Sequence, residues 1–312
     1  MMKPPTLISE QIRILKSRNL IIEDEAKAGD ILLKYNYYRL AGYWQKYKIN
    51  PYDNYFKDNI TFEQIIAIYE LDMLLKGLLQ QGIGIFEVCF RTRFAYHTAH
   101  LNGGSSYLKP DSYIMNNEKP GEFIKEIWDE MYRSRDKSIK HDIQKYDHLP
   151  IWATVETLNF STLSKMYFYW ADETAICNIS NSFKVFQNLK TLGFDTLSKL
   201  YSFLTDALQG ISGFETIRNR EILRYTIHFL VELRNLCAHQ SRIWNRTIMI
   251  PRNNLEGQAK DLNKISPWEI ISVLTALVDE IIVKKDESFS TRVKKLCESN
   301  KEFLKGLINP TF

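Results

Sequence analysis

The chain has 312 residues, 45% of them hydrophobic and 25% charged, with a formal net charge of +4. This is the composition of a globular protein rather than a disordered or fibrous one. A whole-chain charge this small does not by itself argue for nucleic acid, so any such case must come from local clustering.

The start, MMKPPTLISEQIR, carries no apolar run behind its lysine of the kind a secretory leader needs. No uninterrupted apolar stretch approaches the ~20 residues that span a bilayer. The expectation is a cytoplasmic protein with no membrane association. Cys89, Cys177, Cys237 and Cys297 are far apart and form no CxxC pair, which argues against structural zinc and for reduced packing residues.

Glycine and proline are scarce, 13 and 9 in all, and apolar residues recur at helical spacing, so the fold class is all-α. In chain order, Ser9 precedes EQIRILKSR and Asp24 precedes EAKAGDILLKY, each as a helix start. Thr61 with Gln64 three residues on forms a capping-box pattern. The segment that follows, to about Leu101, is one very long helix or two. Gly77, Gly82 and Gly84 weaken its middle and place a break or kink near 82–84, and Asn102-Gly103-Gly104 ends it. Residues 102–121 read as a surface loop. SRDKSIKHDIQKYD (134–147) reads as a solvated helix face. RTIMIP (246–251) is the best strand candidate and allows one short β-hairpin. Ser266-Pro267-Trp268-Glu269 is a strong helix start, and Ser290 starts the last helix. Residues 1–56 form an N-terminal helical extension, and 57–312 form the main helical domain.

The stretch RNLCAHQSRIWNR (234–246) ends a strongly apolar helix with polar and cationic groups. Read as a helix, it places Asn235, His239, Arg242 and Arg246 on nearly one face. Arg234, five residues before His239, lies about 140° around, and Leu236, Cys237, Ala238 and Ile243 are left for packing. An imidazole exchanges protons near neutral pH, a guanidinium forks a phosphate, and an amide such as Asn235 orients the imidazole. Such a set suits metal-free RNA cleavage by the 2′-hydroxyl. His239 moves a proton and an arginine holds the phosphate as charge builds, with Arg242 and Arg246 on the histidine's face as candidates for phosphate contacts. The plainer alternative is a histidine that caps a helix end or is solvated among arginines.

A second cluster, EVCFRTRFAYHTAH (87–100), groups Arg91, Arg93 and His97. It either lines the same cleft or grips RNA, unless Arg91 serves as a helix ion pair with Glu87. NYYRLAGYWQKY (36–47) interleaves aromatics with basic residues, as does 148–170. Both suit core packing more often than base stacking. Tyr37, Tyr38 and Arg39 are the stacking and RNA-binding candidates.

Three blocks, 3–44, 148–167 and 233–246, together resemble the signature blocks of the bacterial Abi family of abortive-infection phage-resistance proteins, of the AbiD/AbiF type. The resemblance implies a HEPN-like helical bundle whose hallmark is an arginine, a polar residue, a short spacer and a histidine near a helix end. Arg234, Asn235 and His239 match that hallmark as catalytic residues. It further implies a cofactor-free endoribonuclease toxin of a phage-defence or toxin–antitoxin system, with an RNA substrate. Two motifs would meet in one composite site, formed by a homodimer where one chain supplies a single motif, and a small noncoding RNA would act as antitoxin. The alternative is a non-catalytic protein that binds a cognate noncoding RNA.

Overall fold

The computed structural model describes residues 5–50, 52–115, 119–146, 148–184, 214–249, 264–282 and 287–311. Among these the fold is helical throughout, apart from one two-stranded sheet. The N-terminal part holds α1 (Ile8–Ser17), α2 (Glu25–Tyr35) and α3 (Tyr37–Trp44). Then comes α4 (Phe62–Asn102), followed by α5 (Pro120–Arg133), α6 (Lys137–Tyr146), α7 (Ile151–Thr157), α8 (Phe160–Tyr169) and α9 (Glu173–Asn181). After α10 (Phe214–Ala238), β1 (Ile248–Met249) and β2 (Lys264–Ile265) pair antiparallel with Ile248 opposite Ile265. Finally α11 (Pro267–Ile281), α12 (Phe289–Glu298) and α13 (Lys301–Ile308) complete the fold. The expected strand is therefore present, and the polar stretch 252–263 after it lies outside the described residues.

The 41-residue α4 is the axis. Helices α3, α7, α8, α9, α10, α11 and α12 all pack on it, so its sides are buried in different directions along its length. Its capping box is complete: Thr61 Oγ1 accepts from the Gln64 amide at 3.1 Å, and Gln64 Oε1 accepts from the Thr61 amide at 3.2 Å. Gly103, at φ +87°, ends it. The break expected near 82–84 is absent. Each glycine weakens a helix by only about 1 kcal/mol, and packing on both sides outweighs that. Gly82 has a packing role: a Cβ there would lie 2.6 Å from Phe289 Cζ, so its missing side chain admits α12 against α4.

By length and composition α4 is the one described helix able to cross a membrane, although charged residues interrupt its apolar run. Its contacts are those of a core helix. The described residues of the expected N-terminal extension share the main core: Ile12, Leu32, Tyr43 and Phe56 belong to the same buried cluster as Phe62, Leu230 and Leu307.

Other helix starts differ by a residue or two. Asp24 caps α2 and Ser266 caps α11, as expected. The first helix begins at Ile8, before Ser9, because Ile8 packs against α2 beside Gly29. Ser288, not Ser290, caps α12. The start is set there because Asp279 accepts the amides of Phe289 and Ser290 at 2.7 and 3.2 Å, and α13 follows as a further helix. Segment 102–121 is not wholly a surface loop. Tyr107 and Tyr113 are buried, and the Tyr107 hydroxyl donates to the Leu149 carbonyl at 2.7 Å. The solvated face at 137–146 is as expected, with Ile143 its one buried residue. Cys237 and Cys297 are buried, and burial pushes both thiols up to about 12.

The glycines of α4 provide a direct check of this packing. Gly82→Ala drives a methyl into the Phe289 ring and should lower stability by about 1–3 kcal/mol. Gly84→Ala faces open space and should raise it by about 1 kcal/mol. Urea unfolding midpoints of opposite sign for the two variants are the expected result.

Candidate functional site

The α10 helix stops at Ala238, five residues into the motif stretch. His239 is its last capping residue and Gln240 turns left-handed at φ +52°. The Gln240 amide donates to the Cys237 carbonyl at 3.1 Å and the Ser241 amide to the Leu236 carbonyl at 2.8 Å. That pair of bonds is a Schellman ending, with glutamine where glycine is usual. The strain of that backbone is held from outside. The Gln240 carbonyl accepts from Arg39 Nη1 at 2.7 Å and from Lys76 Nζ at 3.5 Å, and the Ser241 carbonyl accepts from Lys76 at 3.4 Å.

Lys76 is itself paired with Asp72, one turn earlier on α4, at 3.3 Å, and both side chains are fully buried. The Asp72 carboxylate accepts three further bonds: from the Tyr43 hydroxyl at 2.5 Å, the Trp244 amide at 3.0 Å and the Ile243 amide at 3.3 Å. Four donors occupy the acceptor sites that a carboxylate offers. A buried charge is tolerated only when it is this completely satisfied.

Trp244 then plugs the core. Its ring stacks near Tyr43 and Tyr47, with centroids 6.3 and 6.1 Å away, and its Nε1 donates to the Phe303 carbonyl at 3.1 Å. Asn245, also left-handed at φ +54°, ties the loop to the chain's C-terminal residues. Its side-chain oxygen accepts from the Thr311 amide at 2.9 Å and its Nδ2 donates to Thr311 Oγ1 at 2.9 Å.

The loop forms one wall of a cleft of about 520 Å³, and α3 forms the other. Its lining is Asn36, Tyr38, Arg39, Tyr43, His239, Gln240, Ser241, Arg242 and Arg246. Three arginines and a histidine meet there, and no carboxylate lines it among the described residues. Arg242 lies against Gly42 of α3, at ordinary van der Waals distance from where a Cβ would stand. Burial lowers its pKa from the ordinary arginine value, while the nearby Tyr43 and Asp72 raise it.

Residues 30–245 match the family model of the Abi-like proteins. The chain belongs to the Abi-like protein family. No curated protein and no solved structure matches it. The matched span contains Arg39, Asp72, Lys76, His239 and Arg242, so it takes in the clamp and the cleft's lining except Arg246, one residue beyond it. Membership points to abortive-infection phage defence.

In this Abi-like protein the candidate residues gather differently from a single helical face. His239, Arg242 and Arg246 do meet, but the Schellman turn and the Asp72 clamp bring them together, because the helix ends before Arg242. Tyr38 and Arg39 join them from about 200 residues earlier in the chain. Arg234 and Asn235 sit one turn back on α10, half-buried, and do not line the cleft. The Arg234 guanidinium donates to Asn235 Oδ1 at 3.4 Å, and the Asn235 carbonyl accepts from the His239 amide at 3.0 Å. Leu236, Cys237 and Ile243 are buried as expected, whereas Ala238 is exposed.

The second cluster is elsewhere. Arg91 is 15 residues beyond Lys76 on α4, about 22 Å along the axis, too far to share the cleft. It is buried, ion-paired with Glu87 and bonded to the Val155 carbonyl, which makes it a strut between α4 and α7. Arg93 donates to the Ser182 carbonyl at 2.7 Å and lies over the Phe183 ring at 4.0 Å, holding the end of α9. His97 is kept below the ordinary histidine pKa by burial, then by Arg93 and His100. Tyr37 is half-buried, accepting from Arg18 at 3.1 Å with its ring edge-on to Trp44. In the 148–170 stretch Phe160, Tyr167 and Trp170 are core, while Trp152 is exposed.

Asp72 and Lys76 were the residues a sequence pass overlooks. Their signal is an acid and a base four apart in a largely apolar run, IIAIYELDMLLKGLL, where Glu70 is the one other charge. Asp72→Ala leaves Lys76 buried and unpaired and should cost about 3–5 kcal/mol. Asp72→Asn keeps an acceptor and should lose less. Hydrogen exchange should show the Ile243 and Trp244 amides losing protection in the alanine variant.

Proposed function

We propose that this protein is a metal-independent endoribonuclease acting in the cytoplasm, the toxin of an abortive-infection or toxin–antitoxin system. The observation that carries the reading is the cleft itself: one exposed histidine among Arg39, Arg242 and Arg246, with no lining carboxylate among the described residues. Such a lining attracts a phosphodiester and repels few anions.

In the proposed reaction the 2′-oxygen attacks the adjacent phosphorus and the P–O5′ bond breaks. The 2′-hydroxyl gives up its proton and the 5′-oxygen gains one, and His239 carries one of these transfers. Arg39, Arg242 and Arg246 hold the phosphate as charge builds on its oxygens. The products carry a 2′,3′-cyclic phosphate and a 5′-hydroxyl. Arg234 and Asn235 lie outside this chain's cleft, and in our reading they contribute when a second copy brings its own motif to complete a composite site. A small noncoding RNA restraining the toxin would suit the same cationic lining.

A second reading is favoured by the position of Arg234: the cleft binds RNA and does not cut it. The two readings separate on the purified protein. As a nuclease, the wild type should leave new 5′-hydroxyl ends in the presence of EDTA, and His239→Ala should slow cleavage by about 10²–10⁴-fold. Arg242→Ala and Arg246→Ala should each weaken RNA binding and reduce its salt slope by about 1. Equal RNA binding by wild type and His239→Ala, with neither cutting, would establish the binding-only reading. Cleavage lost in EDTA and restored by magnesium would sink the metal-free mechanism.

A further inference from the structure

A second cleft, of about 880 Å³, opens between α1, α2 and α3. Its polar lining includes Gln11, Arg18, Asn36, Tyr37, Tyr38 and Asn54. Asn36 and Tyr38 line both this cleft and the one at His239, so the two adjoin across the Tyr38 side chain. Tyr38 is 84% exposed, and its ring stands free on the ridge between them. The Asn36 side chain accepts from the Tyr38 amide at 2.8 Å, which fixes the backbone from which that ring projects.

Three features of the second cleft point to a ligand. Gln11 Nε2 donates to the Thr6 carbonyl at 3.2 Å, while its Oε1 is buried and accepts no hydrogen bond. A buried acceptor left unpaired is unfavourable until something donates to it. Arg18 donates to the Tyr37 hydroxyl at 3.1 Å and forms no ion pair among the described residues. Among the described residues no carboxylate lines this cleft either. The volume falls in the range of small-molecule sites. An acceptor for a base N–H, a cation for a phosphate and a free aromatic face form the set that recognises a single-stranded nucleotide.

Resting on the RNA reading above, we propose that the cleft between α1, α2 and α3 is a nucleoside subsite. It takes the base next to the phosphodiester held at His239. The strand crosses the ridge with one base stacked on Tyr38. A rotation of the Gln11 side chain presents Oε1 to an exocyclic amino group or ring N–H, and Arg18 meets the outgoing phosphate. A duplex keeps its bases stacked inside and cannot enter, so the substrate class is unpaired RNA. The α1 wall precedes residue 30, where the family match begins. The Gln11 and Arg18 side of the subsite therefore lies outside the matched span, and the Tyr38 side within it.

The test is anisotropy with a labelled ten-nucleotide RNA on the full chain carrying His239→Ala, so that nothing is cut. Tyr38→Ala on that background should weaken binding about 5- to 150-fold, and Tyr38→Phe should restore it to within about twofold because the ring remains. Gln11→Leu should weaken it about 2- to 10-fold. A single abasic position walked along the strand should reproduce the loss at one step beside the cut and nowhere else. If Tyr38→Ala and Gln11→Leu bind like their parent, the subsite is overturned, even where the intact protein cuts RNA at His239. If binding depends on both residues and the intact protein cuts nothing, the subsite stands and the nuclease reading falls. If the parent binds no RNA at any salt concentration, both fall.

Discussion

Everything at the candidate site hangs on the buried carboxylate of Asp72. It is fully satisfied by Lys76, the Tyr43 hydroxyl and the amides of Ile243 and Trp244. Those four donors come from α4, α3 and the loop after α10, so one side chain fixes three elements relative to one another. A charge in the interior must be matched on every lone pair. That requirement gives the loop one position in place of the many that a polar stretch would otherwise sample. Lys76 extends the same logic to the Gln240 carbonyl, which steadies the left-handed turn that presents His239.

Local chemistry made much of the fold legible. Asp24, Thr61 and Ser266 announce helix starts because a capping side chain satisfies amides within three residues of itself. Gly103 announces an end for the same local reason. Where longer-range packing decides, the sequence is a poorer guide. Gly82 reads as a helix breaker, yet it admits the Phe289 ring from some 200 residues later. Ser9 and Ser290 read as caps, yet the starts are displaced by the packing of Ile8 and by Asp279. The motif stretch was recognisable as chemistry, but its geometry was not. Helical spacing aligned Arg242 and Arg246 with His239, whereas the backbone had already left the helix.

The cationic lining also explains why a modest net charge of +4 is a weak guide here. Arg39, Arg242 and Arg246 converge on one cleft, while Arg91 is spent on Glu87 and Arg93 on the end of α9. Local field depends on which arginines face each other, a matter of fold rather than composition. The long α4 separates these duties, with the clamp near its N-terminal third and the struts some 20 Å farther along.

The grip of Asn245 on Thr311, and of Trp244 on the Phe303 carbonyl, bears on when the cleft comes into being. Synthesis proceeds from the N-terminus, and early segments fold first. A nascent chain that has emerged only through α12 already carries His239 and every arginine of the cleft. It still lacks the residues that seat Trp244 and hold Asn245. The loop can be locked only once residues 303–311 have cleared the ribosomal tunnel. The cleft is thus completed later than the residues that line it.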